Sequence, residues 1–385
     1  MLHLLDGALA TSSDRDRLRD AVVAHVRAVI ATKGRGDRAL VARAEADVRA
    51  DPTRAIRFDP TGLVTVTAAG RSMCGGRFTT PSIGELRELA ARSRTGAPAR
   101  LRLVVLDGAS PATDIGAFQA TAPPDALFQV ASQFNCLESP GPHVTDVASY
   151  LHDPTQGPRA SVSALPGVLV RHYAAPGPDG ARFVQTTAGR QIELLGDVAT
   201  PGVAAVRSGY LLAPEIVDKP AFARTLEERF DRVRIGLHDD IEVVLGYDWD
   251  GAVEGARSIG QVLTSTLAAG AYGGLVRGDG GPICRQLLRA AYLGTLLGAA
   301  ALGKRYVVLT LIGGGVFGNP IPVIWEAIRW ALTEVEPYLH RDLLVAVNGR
   351  NLGESVPATD LLAVARARGG ALVRFERGGD VTIAT

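Results

Sequence analysis

"VVLTLIGGGVFGNP", residues 307–320, joins an apolar, β-branched run to a glycine-rich segment and ends in a proline. The apolar run predicts a buried strand, and the apolar-rich stretch after Pro320 predicts a helix, with Asn319 as its N-cap and the proline as its first residue. A glycine loop between a strand and a helix N-terminus offers unpaired N–H groups and the positive end of a helix dipole. The segment therefore predicts a phosphate-binding loop.

Other interpretations of this loop are weaker. Gly313, Gly315 and Gly318 match the spacing G-x-G-x-x-G, but that dinucleotide fingerprint normally follows a first strand and needs an acidic residue at the end of the next strand. Here the next strand ends at Asn348, and 37 residues remain after it. No Lys-Ser or Lys-Thr pair follows, which argues against a P-loop. A turn that needs glycine only for its conformation stays open as an alternative.

The elements around the loop predict an α/β fold. A buried helix at 282–303, a strand at 306–310, a helix ending before Pro337, a strand at 343–348 and a closing hairpin form the C-terminal third. This alternation is typical of parallel strand pairs covered by helices. Upstream, apolar runs predict strands at 101–107, 126–134, 167–173, 182–187, 233–238 and 261–269. Nearer the N-terminus, a helix is predicted at 14–32, and another begins at Ser82, which has Glu85 at capping-box spacing.

Composition excludes several classes of protein. The 385 residues are 46% hydrophobic and 21% charged, with a net charge of +1, so neither nucleic acid nor an anionic membrane is an expected partner. Cys74, Cys136 and Cys284 are far apart, which predicts neither a disulfide framework nor a metal site. The N-terminus does not resemble a signal peptide. We expect a cytoplasmic protein, although a secreted effector also fits, and the excess of arginine over lysine suggests a bacterial source.

The order of segments around the glycine loop resembles the C-terminal half of a macrodomain. "QVLTSTLAAGAY" (261–272) precedes the helix "CRQLLRAAYLGTLLGAAALGK" (284–304), the strand and loop "YVVLTLIGGGVFGNP" (306–320), a further helix and "LLVAVN" (343–348), about 90 residues in all. Ala291 and Tyr292 match the family's helix motif. The resemblance implies a three-layer α/β/α sandwich with a mixed sheet at 101–385, with a mainly helical extension at 1–100 packed on it.

The same resemblance implies a ligand and the residues that bind it. Macrodomains bind ADP-ribose, and the matching loop holds its diphosphate, while the aromatic residue of the loop packs beside the distal ribose. The implied ligand residues are Gly313, Gly314, Gly315, Val316, Phe317, Gly318 and Asn319. Upstream, "ALFQVASQFNCLE" (126–138) occupies the place of the strand that leads to a ribose-binding asparagine, here Asn135. The sequence departs from the family in lacking "NAAN" and a second Gly-Gly-Gly loop.

Two further phrases, "QVASQFN…LE" and "HDPTQGP", resemble a divergent macrodomain subgroup. It is related to Legionella-effector hydrolases that remove ADP-ribose from arginine on ubiquitin. Some macrodomains hydrolyse ADP-ribose from proteins, and others only bind it. The resemblance therefore implies an ADP-ribosyl hydrolase, with a non-catalytic reader or an enzyme acting on a free NAD-derived metabolite as alternatives. ADP-ribose or an ADP-ribosylated protein is the expected partner, and the scheme requires no cofactor or metal.

Cleavage at the anomeric carbon passes through an oxocarbenium-like transition state, so the site needs negative charge nearby and a group that handles protons. Asp146 and Asp153 are the predicted carboxylates, with Asn135 beside them and Gln156 as a further ligand residue. Each has a structural alternative: Asp153 precedes a proline and fits a turn, Asp146 fits a helix N-terminus, and Asn135 fits the end of a strand. The cluster at 238–242 (His238, Asp239, Asp240, Glu242) lacks the second histidine of a metal motif and is interpreted as structural.

Overall fold

Helices and strands alternate along most of the chain in the computed structural model, which describes residues 1–10, 15–93, 99–177, 179–200, 202–273, 281–376 and 378–385. The α-helices are α1 (Leu2–Ala10), α2 (Arg15–Ala31), α3 (Leu40–Ala50), α4 (Pro52–Ala55), α5 (Ile83–Arg92), α6 (Ile115–Ala120), α7 (Gln156–Ser163), α8 (Leu165–Tyr173), α9 (Lys219–Glu228), α10 (Gly281–Ala301), α11 (Ile321–Val335) and α12 (Ala358–Ala367). The strands are β1 (Ile56–Phe58), β2 (Val64–Ala68), β3 (Arg71–Thr79), β4 (Leu101–Asp107), β5 (Ala126–Ala131), β6 (Ala175–Pro176), β7 (Arg182–Phe183), β8 (Val206–Arg207), β9 (Tyr210–Leu212), β10 (Gly236–Glu242), β11 (Ser258–Thr264), β12 (Leu267–Ala268), β13 (Tyr306–Thr310), β14 (Leu343–Gly349), β15 (Ala371–Phe375) and β16 (Val381–Ala384).

One large mixed sheet runs through the molecule in the order β1-β2-β3-β10-β11-β5-β13-β14-β4-β15-β16. The six strands from β11 to β15 in this order are mutually parallel, and the strands outside them pair antiparallel. Parallel strands need helical crossovers, which cover both faces of such a sheet. Their carboxyl ends all meet at one edge of the sheet, and this edge carries the candidate site.

Alternating side chains of the central strands enter two separate cores. In β14, Leu343, Val345 and Val347 pack with α5, α9, α10 and α11 on one face of the sheet. Leu344 and Ala346 pack with α1, α2 and α6 on the other face. Full burial of each such leucine or valine contributes about 1.5–3 kcal/mol. Because successive side chains point to opposite faces of the sheet, helices pack on both faces and the molecule has three layers. The predicted α/β/α class is confirmed.

The strand predicted at 167–173 is wrong, and of the strand predicted at 182–187 only Arg182–Phe183 forms. Residues 167–173 belong to helix α8, whose residues are buried throughout, including Arg171 and His172. A short apolar run that is buried on all sides has the same composition in a helix as in a strand. The periodicity of its hydrophobic residues therefore does not distinguish the two structures. The predicted strand at 126–134 also ends early, at Ala131, and the following residues form a turn.

The N-terminal segment is more closely integrated than the predicted extension. Its first hundred residues are mainly helical, but they also supply β1, β2 and β3 to the large sheet, where β3 pairs antiparallel with β10. The capping box predicted at the start of α5 is present: Ser82 Oγ accepts the N–H of Glu85, and Glu85 Oε2 accepts the N–H of Ser82. In the part of the chain that the structure describes, no helix has both the length and the apolar character that crossing a membrane requires.

Candidate active site

A cavity of about 560 Å³ opens at the carboxyl ends of the parallel strands. Its wall includes Ala131 at the end of β5, Thr310 at the end of β13, Asn348 near the end of β14 and Ser265 just after β11. Open α/β sheets bind ligands at this edge, because the loops that follow parallel strands diverge there and leave a crevice. The volume falls in the range of about 300–1,000 Å³ that is usual for small-molecule sites.

The glycine loop after β13 forms one wall of the cavity. Three of its N–H groups hold the loop together: that of Gly314 donates to Leu311 O (3.0 Å), that of Gly318 to Gly315 O (2.9 Å) and that of Asn319 to Gly313 O (2.9 Å). Among the described residues, the remaining N–H groups in the cavity-lining part of the loop donate to no acceptor, namely those of Gly313, Gly315, Val316 and Phe317. Successive free N–H groups of this kind bind anions.

Two of the glycines differ in what a side chain at their position would meet. Gly313 has a φ of +72°, and a Cβ there would lie 2.4 Å from Thr266 Cγ2, so neither the conformation nor the space admits a side chain. At Gly315 a Cβ would meet no atom within 4 Å, so the absent side chain leaves open space beside the loop. That space brings the backbone within reach of a ligand.

Helix α10 holds the strand end that precedes the loop. The hydroxyl of Tyr292 donates to Thr310 O (2.8 Å) and accepts the N–H of Ile312 (3.1 Å). Tyr292 is fully buried, so these two bonds are shielded from water. This contact gives a physical role to the tyrosine of the helix motif: it fixes the first residues of the glycine loop to the core.

Asn319 does not act as the predicted N-cap. Helix α11 begins at Ile321, and Pro320 occupies the N-cap position. The Asn319 side chain is buried and ties the loop from behind: Nδ2 donates to Leu267 O (2.9 Å), and Oδ1 accepts from the Cys284 thiol (2.7 Å). Asn319 and Gly318 do not line the cavity, whereas the predicted ligand residues at 313–317 do.

Aromatic side chains form the wall next to the loop. The ring of Phe317 lies 5.7 Å from that of Tyr210 and 5.5 Å from that of Tyr272, and the two tyrosine rings are 5.1 Å apart. The Tyr272 hydroxyl donates to the Tyr210 hydroxyl (3.3 Å), which in turn donates to Ser139 O (2.6 Å). These contacts connect the glycine loop to the turn at 132–139, on the other side of the cavity.

Glu138 lies at the end of that turn. Among the described carboxylic acids, it is the one whose pKa is shifted most. It lines the cavity, but only 5% of its surface is exposed. Burial raises its pKa well above the usual 4.5; the positive charge of Arg171 opposes this rise, and Asp153 adds to it. A buried carboxylic acid with a raised pKa is suited to act as a general acid.

Three buried polar atoms of the cavity wall lack partners among the described residues. They are Glu138 Oε1, Ser265 Oγ and Asn348 Oδ1. Buried polar atoms are nearly always hydrogen-bonded, so several orphans around one cavity indicate a polar ligand. No group of His, Cys, Asp and Glu within the described ranges is arranged to hold a metal ion.

Two of the predicted polar residues lie at the cavity. Asp153 and Gln156 both line it. Asp153 Oδ1 also accepts the N–H of Thr155 (2.9 Å), which is the turn geometry weighed as the alternative, and Gln156 Oε1 accepts the N–H of Ile115 (2.9 Å). Each side chain therefore combines a structural hydrogen bond with a position in the cavity wall.

Two others lie away from the cavity wall. The Asp146 side chain is 57% exposed and pairs with Arg49 at 2.8 Å. Asn135 is buried, with Nδ2 donating to Gln191 Oε1 (3.0 Å) and Oδ1 accepting the N–H of Leu137 (3.1 Å). These placements give no support to the predicted catalytic roles, because the polar atoms of both side chains are committed to other partners.

The cluster at 238–242 serves the sheet. His238 is buried and bonds Gly75 O on the neighbouring strand β3 (2.6 Å). The acids that follow pair with cations: Asp239 with Lys304 (2.6 Å), Asp240 with Arg77 (2.7 Å) and Glu242 with Arg71.

No protein-family model and no curated protein matches the chain. Solved structures of poly(ADP-ribose) glycohydrolases show a distant similarity to it. The enzyme from Thermomonospora curvata is 15% identical with a TM-score of 0.39, over 84% of this chain and 97% of the enzyme. The enzyme from Deinococcus radiodurans in complex with ADP-ribose is 15% identical with a TM-score of 0.39, over 76% and 94% of the two chains. Its apo form is 15% identical with a TM-score of 0.36, over 72% and 90%. Similarities this distant assign no function to the chain.

Sequence reasoning missed Glu138. Its signal is an isolated acid shortly after a buried strand, within "SQFNCLESP" (132–140), where the surrounding side chains are uncharged. An acid in such surroundings is either exposed at a turn or buried with a raised pKa, and the sequence does not distinguish the two.

Proposed function

We propose that the chain is an ADP-ribosyl hydrolase that cleaves the bond between ADP-ribose and a modified protein. One observation carries the proposal: a buried carboxylic acid with a raised pKa lines the same cavity as four backbone N–H groups that have no acceptor among the described residues. The N–H groups suit a diphosphate, and the acid suits a glycosidic leaving group that must accept a proton.

In this scheme the loop at 313–317 holds the diphosphate, and Phe317 packs beside the distal ribose. Glu138 donates its proton to the leaving atom of the protein side chain as the bond to the anomeric carbon breaks. Asp153, another carboxylate of the wall, faces the positive charge that develops on the sugar. Water then adds to the anomeric carbon, and its proton returns to the Glu138 carboxylate.

Arginine-linked ADP-ribose, including ADP-ribosylated arginine on ubiquitin, is among the substrates to be tested. Its guanidinium already carries the proton with which it leaves as a neutral guanidine, so this linkage depends less on the Glu138 proton than a neutral leaving group does. Assays with other protein linkages and with poly(ADP-ribose) test whether Glu138 supports cleavage of a wider class of ADP-ribosyl bonds.

The test measures turnover and binding separately. Wild-type protein is incubated with each ADP-ribosylated substrate, released ADP-ribose is quantified by mass spectrometry, and affinity for ADP-ribose is measured by calorimetry. Glu138→Gln removes the proton donor and keeps the shape, so kcat should fall by ~10²–10⁴-fold while the Kd for ADP-ribose changes little. Glu88→Gln, at an exposed pair with Arg92 on helix α5, is the matched control and should leave both values unchanged.

Three outcomes contradict the proposal. Binding of ADP-ribose without turnover of any substrate would identify a reader in place of an enzyme. Undiminished turnover by the Glu138→Gln variant would show that another group supplies the proton. Release of products from free NAD or O-acetyl-ADP-ribose, but from no modified protein, would assign the site to a free metabolite.

A further inference from the structure

A buried arginine lies behind the turn that carries Glu138. The side chain of Arg171, from helix α8, is fully buried; its Nε donates to Cys136 O (3.1 Å), and its Nη1 donates to His238 Nδ1 (3.1 Å). Among the described residues no carboxylate oxygen lies within 4.0 Å of it, and Nη2 has no partner. Burial lowers the pKa of Arg171 to about 10, so it remains charged at neutral pH.

The direct partners of this guanidinium are neutral. His238 Nε2 lies 2.6 Å from Gly75 O, which can only accept, so Nε2 carries the hydrogen and Nδ1 accepts from Arg171. Burial and the adjacent Arg171 charge lower the pKa of His238 well below 6.5, which keeps the ring uncharged. The remaining partners are a carbonyl and the amide oxygen of Gln261 at 3.5 Å. A buried cation without an ion pair is costly, and such costs are typical of functional sites.

The turn itself is strained at the residue that Arg171 binds. Cys136 has a φ of +63°, a left-handed conformation that is uncommon for a side chain other than glycine. Its N–H donates to Gln133 O (2.9 Å), and the N–H of Gln133 donates to Leu137 O (2.9 Å), which closes the turn. The Cys136 carbonyl is thereby held by Arg171, and Glu138 follows two residues later.

Arg171 is also the positive charge that acts on Glu138. Glu138 is faced by charged and hydroxyl groups from several elements: Arg171 from helix α8, Asp153, Tyr210 from β9 and Tyr150 from the 3-10 helix at 147–152. The Tyr150 hydroxyl accepts the N–H of Glu138 (3.0 Å). Tyr150 and Tyr210 are uncharged, because burial raises the pKa of both hydroxyls. Asp153 repels a Glu138 carboxylate, and within the described ranges Arg171 is the positive charge that attracts it.

We propose that Arg171 is a positioning residue that holds the Glu138 turn and supplies the buried positive charge against which the Glu138 carboxylate forms. The inference rests on the proposed function. When the bond from the anomeric carbon to the leaving atom breaks, the proton of Glu138 passes to that atom and a buried carboxylate remains. Without a nearby cation the acid would hold its proton too firmly to give it up. After water adds, its proton restores Glu138.

Two substitutions distinguish the effect of the Arg171 charge from that of its hydrogen bond to the Cys136 carbonyl. Arg171→Gln removes the charge but keeps a donor for the Cys136 carbonyl, whereas Arg171→Lys keeps the charge. The carboxyl carbon of Glu138, labelled with ¹³C and assigned by comparison with Glu138→Gln, is titrated in each protein, and kcat and KM are measured against pH. Arg102→Gln is the matched control, because Arg102 is also largely buried but pairs with Asp6 on helix α1.

We expect Arg171→Gln to raise the pKa of Glu138 by ~1 unit or more and to lower kcat at neutral pH by ~10–100-fold. The alkaline limb of the kcat profile should move upward by the same shift, with KM nearly unchanged. Arg171→Lys should restore the Glu138 titration, and Arg102→Gln should leave it unmoved. A folded Arg171→Gln variant whose Glu138 titration and kcat profile match wild type would overturn the proposal.

The Lys variant decides the matter if the Gln variant does not fold. It keeps the charge, so an upward shift of the Glu138 titration by a full unit in that variant would contradict the proposed role. The titration requires no substrate. If wild-type protein cleaves no ADP-ribosyl bond, the proposed function fails while the titration still determines whether Arg171 sets the acidity of Glu138.

Discussion

Gly157→Ala tests how closely helix α7 packs against the proposed acid. Gly157 lies in the first turn of α7, and a Cβ at this position would lie 2.6 Å from Glu138 Oε2 and 2.7 Å from Ala131 O. Real Cβ contacts essentially never fall below 3.0 Å. The Ala131 oxygen belongs to the end of a central strand, so the helix or the Glu138 side chain has to move.

The required movement sets the size of the effect. Raising the shorter contact from 2.6 Å to 3.0 Å needs a displacement of about 0.4 Å. Overpacking of this kind costs ~1–3 kcal/mol, while alanine in a helix gains up to ~1 kcal/mol over glycine. We expect the free energy of unfolding to fall by ~1 kcal/mol. Misplacement of a catalytic group by up to 1 Å costs as much as ~10²-fold, so kcat should fall by ~10-fold or more.

The assay combines urea denaturation with kcat measured on an ADP-ribosylated protein. Gly7→Ala is the matched control, because Gly7 lies within helix α1 and a Cβ there would meet nothing within 4 Å. It should leave kcat unchanged and the free energy of unfolding equal or slightly higher. Wild-type kcat and stability in Gly157→Ala would refute the inference that the packing of α7 constrains Glu138.

Four further predictions follow from other contacts. Gly313→Ala should lower the free energy of unfolding by ~1–3 kcal/mol in urea denaturation, because φ is +72° there and a Cβ would lie 2.4 Å from Thr266 Cγ2. Gly315→Ala should leave the free energy of unfolding unchanged and weaken ADP-ribose binding in calorimetry, because a Cβ there would enter the open space beside the loop. Glu45→Gln should lower the free energy of unfolding by ~2–3 kcal/mol, since its buried carboxylate accepts three hydrogen bonds. Asp146→Ala should change stability by less than ~0.5 kcal/mol and leave turnover intact; lost turnover would reinstate Asp146 as a catalytic carboxylate. The free energy of unfolding should fall as pH drops from about 6.5 to about 4, because burial lowers the pKa of His25 and His172 to about 4 and the unfolded chain takes up protons that the folded chain does not; melting curves without this fall would contradict it.

The C-terminal third was predictable because its signals are local. A β-branched run, a proline near a helix start and a glycine after a helix end act within a few residues of themselves, and β13, α10, α11 and the closing hairpin lie close to their expected positions. The glycine loop was found in the same way. Its place at the cavity follows from the sheet, since loops after parallel strands share one edge.

The features that the sequence did not predict depend on contacts between residues that are distant along the chain. Whether the run at 167–173 forms a helix or a strand is decided by what packs around it. The acidity of Glu138 comes from its burial and from Arg171, 33 positions along the chain. Asp146 and Asp153 look alike in sequence, but one pairs with Arg49 at the surface and the other reaches the cavity wall. Burial and partner identity are properties of the fold, so no local pattern could have separated them.

The N-terminal segment contributes to the site through Glu45. This side chain, 3% exposed on helix α3, accepts the N–H groups of Val147 and Ala148 at the start of the 3-10 helix at 147–152. That helix carries Tyr150, whose hydroxyl accepts the N–H of Glu138. A continuous set of buried hydrogen bonds therefore links α3 to the proposed acid. Because these bonds cross from the first hundred residues into the rest of the chain, we expect removal of the N-terminal segment to misplace Glu138 rather than to release an independent active domain.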